Sequence, residues 1–211
     1  MLETPDILRG DSDDSRPNGR AEVVAAATRA AADLFAEKNP THVSVREIAA
    51  RAGVSHALVH RYMGSKEDIL KAALALDRHE AADYWTHKHG LGTGGGTFEQ
   101  DEPPGRYIRT VMRASLEGIT LEPDDIRLPH AQHMLEFLET RGFPDVKDAP
   151  GFDVRVLFSA VTAMAAGMAV AEDFFLVQSG IEGEDREKLR AEINRLIMRI
   201  MTLADRPGQA G

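Results

Sequence analysis

Residues 43–70 read VSVREIAARAGVSHALVHRYMGSKEDIL, and this stretch decides the fold. Val45, Ile48, Ala49 and Ala52 fall at i, i+3, i+4 and i+7, one apolar stripe of a helix. Gly53 follows at once, and a glycine there takes the left-handed conformation that stops a helix at little steric cost. Val54 fills the corner, and Ser55 is a good N-cap for a second helix. That helix, residues 56–63, turns Val59 and Met63 inward and leaves His56, Ala57, His60 and Arg61 outward. Gly64 ends it, and Ser65 with Asp68 three residues on is an acidic variant of the capping box that opens a third helix. Helix, short Gly-containing turn, helix is the helix-turn-helix pattern, whose second helix is shaped to lie in a DNA major groove.

Working outward, Val23, Val24, Ala27, Ala30, Ala31, Leu34 and Phe35 recur at a 3–4 spacing, which predicts a helix from Arg20 to about Lys38. Asn39-Pro40 breaks it, and Ser44 can cap the next helix. Residues 1–18 carry Gly, Pro, Ser and Asp without periodicity and read as a disordered tail. Downstream, Leu70, Ala73, Leu74, Asp77, Ala81 and Tyr84 carry the third helix on to about Lys88 as a strut. The stretch 89–104, HGLGTGGGTFEQDEPP, reads as a flexible surface loop. It is not a phosphate loop, since no strand precedes it and no Gly-Lys-Ser/Thr ends it. Helices are expected at 105–121, 128–141, 153–179 and 184–204. The last two are long and apolar, which points to a two-fold four-helix bundle between subunits, Asp153 to Ala204; a hairpin packing on its own core is the alternative. The expected architecture is all-α, with a tail at 1–18, a helix-turn-helix head at 19–65 and a helical effector-binding and dimerisation body at 66–211.

The composition is that of an ordinary globular chain, 43% hydrophobic and 28% charged. It holds no cysteine, which excludes disulfides, thiolate zinc sites and a Cys nucleophile and fits a cytoplasmic protein. The N-terminus lacks an apolar signal core, and the longest apolar run, Ala160 to Ala171, is too short to span a membrane, so no membrane partner is expected. A net charge of −9 looks wrong for a DNA binder, but residues 16–80 carry ten Lys/Arg against eight Asp/Glu, and the acidic excess lies elsewhere.

No Ser-His-Asp grouping has supporting context, and the acidic pairs Asp124-Asp125 and Glu172-Asp173 sit at helix ends or solvated faces. His130, His133 and Glu136 at i, i+3, i+6 could face a metal, but such a polar face more often is solvated or lines a pocket; neither metal nor cofactor is expected. Trp85, Tyr107, Met112, Met134, Phe137, Met164, Met168 and Phe174 form either plain core or the wall of a pocket for an apolar small-molecule effector. His130, His133, Glu117 and Ser115 would be its polar groups.

The segment from about Arg20 to Leu76 resembles the DNA-binding domain of the tetracycline-repressor (TetR) family of bacterial transcription regulators. The resemblance is carried by DLFAEKN, then VSVREIAARAGVS, the second helix, and GSKEDIL. It implies double-stranded DNA as partner, a homodimer on a palindromic operator, a ligand-responsive C-terminal domain, most simply repression, and no enzymatic activity. It places Ser44 and Arg46 where the family's second helix begins and meets phosphate or base. Ser55, His56, Ala57 and His60 match the exposed side of the recognition helix. Arg61 and Tyr62 match positions near the DNA backbone, and Lys66 matches the lysine that opens the fourth helix. Arg46 is the candidate for a bidentate guanine contact, a salt bridge within its own helix being the alternative. Family members often carry Tyr where His60 stands and His-Phe where Tyr62-Met63 stands, so the polar pair is permuted here. A different reading is an all-helical small-molecule-binding protein or enzyme with an incidental helix-turn-helix; it would need a convergent acid-base or metal constellation.

Overall fold

The computed structural model describes residues 17, 19–89, 102–128, 131–132, 135–136 and 153–203. The tail, most of the 89–104 loop and most of the 128–141 helix lie outside them. Every element among the described residues is helical, as the periodicity predicts.

Helix α1 (Arg20–Glu37) buries Val23, Ala27, Ala30, Ala31, Leu34 and Phe35 on one stripe. A single 3-10 turn, Pro40–His42, leads into α2 (Val45–Arg51) and α3 (His56–Met63). Ser44 accepts a bond from the Glu47 amide at 3.2 Å, which satisfies a first-turn donor of α2. Gly53, at φ 68, ends α2, with its amide on the Ala50 carbonyl and that of Val54 on Ala49. Helix α4 (Lys66–His89) adds Ile69, Leu70, Ala73 and Leu74 to the same core as Phe35, Val43, Ile48 and Val59. Burying side chains of this size stabilises the head by roughly 1.5–3 kcal/mol each.

The helix expected at 105–121 begins earlier than that. Helix α5 (Pro103–Leu116) starts at the Pro-Pro pair that the sequence reading gave to the loop, because proline fits the first turn of a helix, where an amide would lack a partner anyway. It ends at Leu116 rather than Leu121. The short α6 (Pro123–Ile126) follows, then α7 (Val154–Ser179) and α8 (Arg186–Leu203). Tyr107 of α5 is buried within the head's own core cluster, and its hydroxyl donates to the Ile126 carbonyl at 2.5 Å.

An ionic cluster around the buried Asp77 also joins body to head. Arg106 of α5 meets Asp77 of α4 at 2.5 Å, contacts Glu80, and lies 3.6 Å from Asp33 of α1. Glu80 in turn holds Arg29 of α1. Asp77 is 0% exposed, and its Oδ2 has no hydrogen-bond partner among the described residues. Nearby, Arg113 of α5 donates to the Ala36 carbonyl, and Arg78 of α4 to that of Asp124.

Helix α7 runs over the predicted residues but leaves helical geometry at Ala171 (φ −136, ψ 36). Just beyond the break Glu172 is buried and held by Arg190 at 2.6 Å and Arg186 at 3.1 Å, both from α8. Arg190 and Arg186 keep its carboxyl below the usual range. The stretch 155–179 has a mean hydropathy of 1.6 and is long and apolar enough to cross a membrane, because apolar turns flank the uninterrupted run 160–171; 28% of its apolar window is buried within this chain.

Removing Arg106 leaves the buried Asp77 carboxyl without its cation, so Arg106→Ala should lower the unfolding free energy by about 3 kcal/mol, the low end for breaking a buried pair; chemical denaturation measures it. Burial pushes the Asp77 carboxyl up to about 6, outweighing the opposing pull of Arg106. Between the unfolded value of about 4 and that raised value, the folded protein holds a proton the unfolded chain has released. Stability from this site therefore falls as pH rises through that window. Asp77→Asn should gain on the wild type as pH climbs through it; a pH-independent difference would contradict this.

Candidate nucleic-acid interface

Val59, fully buried, fastens α3 to the core and so fixes which side faces out. Ser55 accepts from the Leu58 amide at 3.3 Å and defines where the helix starts. Ser55, His56, Ala57, His60 and Arg61 are exposed, and Tyr62 is half-buried. Gly64 ends the helix at φ 81, and a Cβ there would meet Asp68 Oδ2 at 2.7 Å. The tight turn lets Asp68 accept from the Ser65 amide at 2.8 Å while its own amide donates to Ser65 Oγ at 3.1 Å. The Ser65 hydroxyl and amide hold the Asp68 carboxyl below its ordinary range.

Eight cations on or near the motif sort into two groups. Arg29, Lys38, Arg51 and Lys71 are spent on Glu80, Glu47, Glu37 and Glu67. Arg20, Arg46, Arg61 and Lys66 form no ion pair among the described residues. For Arg46 this disfavours the salt bridge left open by the sequence, since Glu47 of its own helix is held by Lys38. Lys66 donates to the Thr41 carbonyl at 2.9 Å, which ties the start of α4 to the connector that enters α2. Thr41 is anchored in turn by Glu117, its amide donating at 2.9 Å. Arg20 and Arg61 lie 6.0 and 5.7 Å from the centre of the Tyr62 ring. Ser44, Arg46, Ser55, His56, Ala57, His60, Arg61 and Tyr62 thus lie on two consecutive short helices and their N-caps, and Lys66 opens α4. Arg20 was not foreseen; it lies at the far end of α1, and no periodic signal links it to Tyr62.

The effector-pocket candidates are less gathered. Tyr107 belongs to the head core, and Met112 packs instead against Ile108, Ala166 and Ala169. Met168 is half-buried, while Met164 and Phe174 are 42% and 60% exposed. His130, His133, Met134 and Phe137 lie outside the described residues, as does the side chain of Trp85. Among the described residues no three His, Cys, Asp or Glu side chains cluster as metal ligands. A cavity of about 430 Å³ that the sequence did not suggest lies at the junction of head and body, lined by Phe35, Pro40, Thr41, Lys66, Leu70 and Ile119 among others.

An outward-facing second helix on a fastened helix-turn-helix, above a helical body, defines a DNA-binding regulator of transcription. The model of the family described as bacterial regulatory proteins, tetR family, matches residues 27–73. The HTH-type transcriptional repressor Rv3405c of Mycobacterium tuberculosis is 30% identical over 193 residues, covering 88% of this chain and 92% of its own. The HTH-type transcriptional regulator Mb3439c of Mycobacterium bovis matches to the same extent, at 30% identity over 193 residues. In fold, the chain is similar to a HlyIIR mutant carrying a GSSGSSG linker, with a TM-score of 0.53 and 16% identity over 90% of this chain and 99% of that one. The chain belongs to the TetR family of bacterial transcription regulators.

Gly64→Ala forces a side chain into the left-handed region and against the Ser65–Asp68 box. It should destabilise the protein by more than about 1 kcal/mol, read as a lowered melting temperature; an unchanged value would contradict the strain.

Proposed function

We propose that this regulator is a homodimeric, ligand-responsive repressor that lays α3 in the major groove of a palindromic operator. The observation that carries the reading is the sorting of charge. Among the described residues Arg20, Arg46, Arg61 and Lys66 form no ion pair and lie on or beside the two helices of the motif, while Arg29, Lys38, Arg51 and Lys71 are neutralised by Glu. Arg, with its rigid fork, suits guanine and phosphate alike. Ser44, Ser55, His56, Ala57, His60 and Tyr62 complete the surface, with Arg46 as the base reader. The name of the Mycobacterium tuberculosis relative, a repressor, supports repression.

Dimerisation through α7 and α8 is supported by the apolar side chains these helices leave uncovered: Val156, Met164, Phe174, Phe175, Val177 and Leu196. A two-fold bundle would cover them, and two heads would then read half-sites about one helical turn, roughly 34–36 Å, apart. An apolar effector in the body would act by favouring a state whose heads no longer match that spacing, a coupling of order 1–3 kcal/mol. The Arg106 cluster and Tyr107 give α5 a direct hold on α1 and α4. Such a protein works in the cytoplasm, where its DNA is.

Selection of bound duplexes from a random library should enrich a palindrome with half-sites one turn apart, and no enrichment from a dimeric preparation would sink the reading. Arg46→Ala should relax preference at one base pair by about 1–3 kcal/mol. Phe174→Asp and Leu196→Asp together should give a monomer in sedimentation velocity, with selective DNA binding lost; a dimer that persists would move the interface elsewhere.

A further inference from the structure

We infer that Arg20, outside the helix-turn-helix, is a DNA-phosphate ligand, and that Tyr62 holds it beside Arg61 so that the two guanidiniums grip the backbone flanking the recognition helix. The inference rests on the DNA-binding reading above.

Both arginines are exposed, and they share one aromatic ring at 6.0 and 5.7 Å, within the range of a cation–π contact. Neither has a carboxylate partner among the described residues. Bringing two like charges to one ring without an offsetting anion raises the free energy of the unbound protein. An anion placed between them would relieve it, and a phosphodiester takes a guanidinium's paired donors directly.

The place of Arg20 in its own helix makes the same point independently. It is the first residue of α1, an 18-residue helix whose N-cap, Gly19, has no side chain to satisfy the first-turn amides. A cation at that end opposes the helix dipole and is unfavourable locally. Residues that break a local rule of stability are expected where function demands them. Glu22 also lies in this first turn, and the contact of Arg20 with the Tyr62 ring is what brings the arginine to α3.

The contact would not read sequence. It would set the angle at which α3 enters the groove, because it grips the backbone from a helix that packs behind the motif. Tyr62 is then a positioning residue, stiff enough to keep both long side chains from wandering.

The test uses the full-length protein, a duplex selected from a random library and a scrambled duplex of equal length. Arg20→Gln should weaken binding to both duplexes alike. It should make the slope of log Kobs against log[salt] shallower by about 0.9 per lost phosphate contact, which is about two for a dimer. Its melting temperature without DNA should stay level or rise, which a merely structural arginine would not show. Arg20→Lys should keep most of the salt slope. In a Tyr62→Leu background Arg20→Gln should have a smaller effect than in the wild type. A wild-type slope for Arg20→Gln, or a fall in melting temperature that accounts for its weaker binding, would overturn the inference and leave the DNA-binding reading intact. A wild-type protein that binds neither duplex would overturn both.

Discussion

The buried contact between Arg106 and Asp77 is the interaction on which the arrangement of head and body depends. Arg106 of α5 reaches acids of both α1 and α4. Taking charges out of water costs several kcal/mol per ion, and attraction repays this only where the geometry is good. Around Arg106 it is good on one side and incomplete on the other: Asp77 Oδ1 is bonded, and Oδ2 is not. Apolar side chains would have joined the helices with less expense. What an ionic cluster adds is direction, since it is satisfied in one relative position of three helices and not in neighbouring ones. Tyr107 works beside it, filling the head core from the body side. A movement of α5 therefore reaches the helices that carry and support the recognition helix.

Charge explains how an acidic protein can serve DNA. The chain's net charge is −9, yet its head spends glutamates on some cations and, among the described residues, leaves others without an ion pair. The pairs Lys38–Glu47 and Arg51–Glu37 lock α2 and the chain end of α1 together. Such exposed pairs contribute little to stability on their own, typically 0–1 kcal/mol. Their larger effect is to set which side of the head remains positive. Repulsion from the acidic remainder then disfavours other orientations on the duplex.

Much of the fold was legible in the sequence because its signals are local. The stripe of Val45, Ile48 and Ala49, the caps at Ser44 and Ser55 and the stops at Gly53 and Gly64 each act within a turn or two of chain. Where the reading missed, distant contacts decided. Pro103-Pro104 carries loop and helix-start meanings at once, and only the packing of α5 selects between them. The break at Ala171 stands next to Glu172, whose partners Arg186 and Arg190 lie on another helix. Tyr107 and Arg106 look like ordinary members of an amphipathic helix, and nothing nearby in sequence announces Asp77 or the head core as their surroundings. The exposed side of α3 was legible for the same local reason, while the approach of Arg20 to Tyr62 was not, because it joins residues on two separate helices.

The central claim is that the head's unpaired cations form a surface for the DNA backbone, and the salt dependence of wild-type binding tests it most directly. Arg20, Arg61 and Lys66 from each of two subunits would release counterions at about 0.9 per phosphate contact, which gives a slope of log Kobs against log[salt] of about −5. A slope shallower than about −2 on a selected duplex would mean that these side chains do not meet phosphate, and would contradict the account.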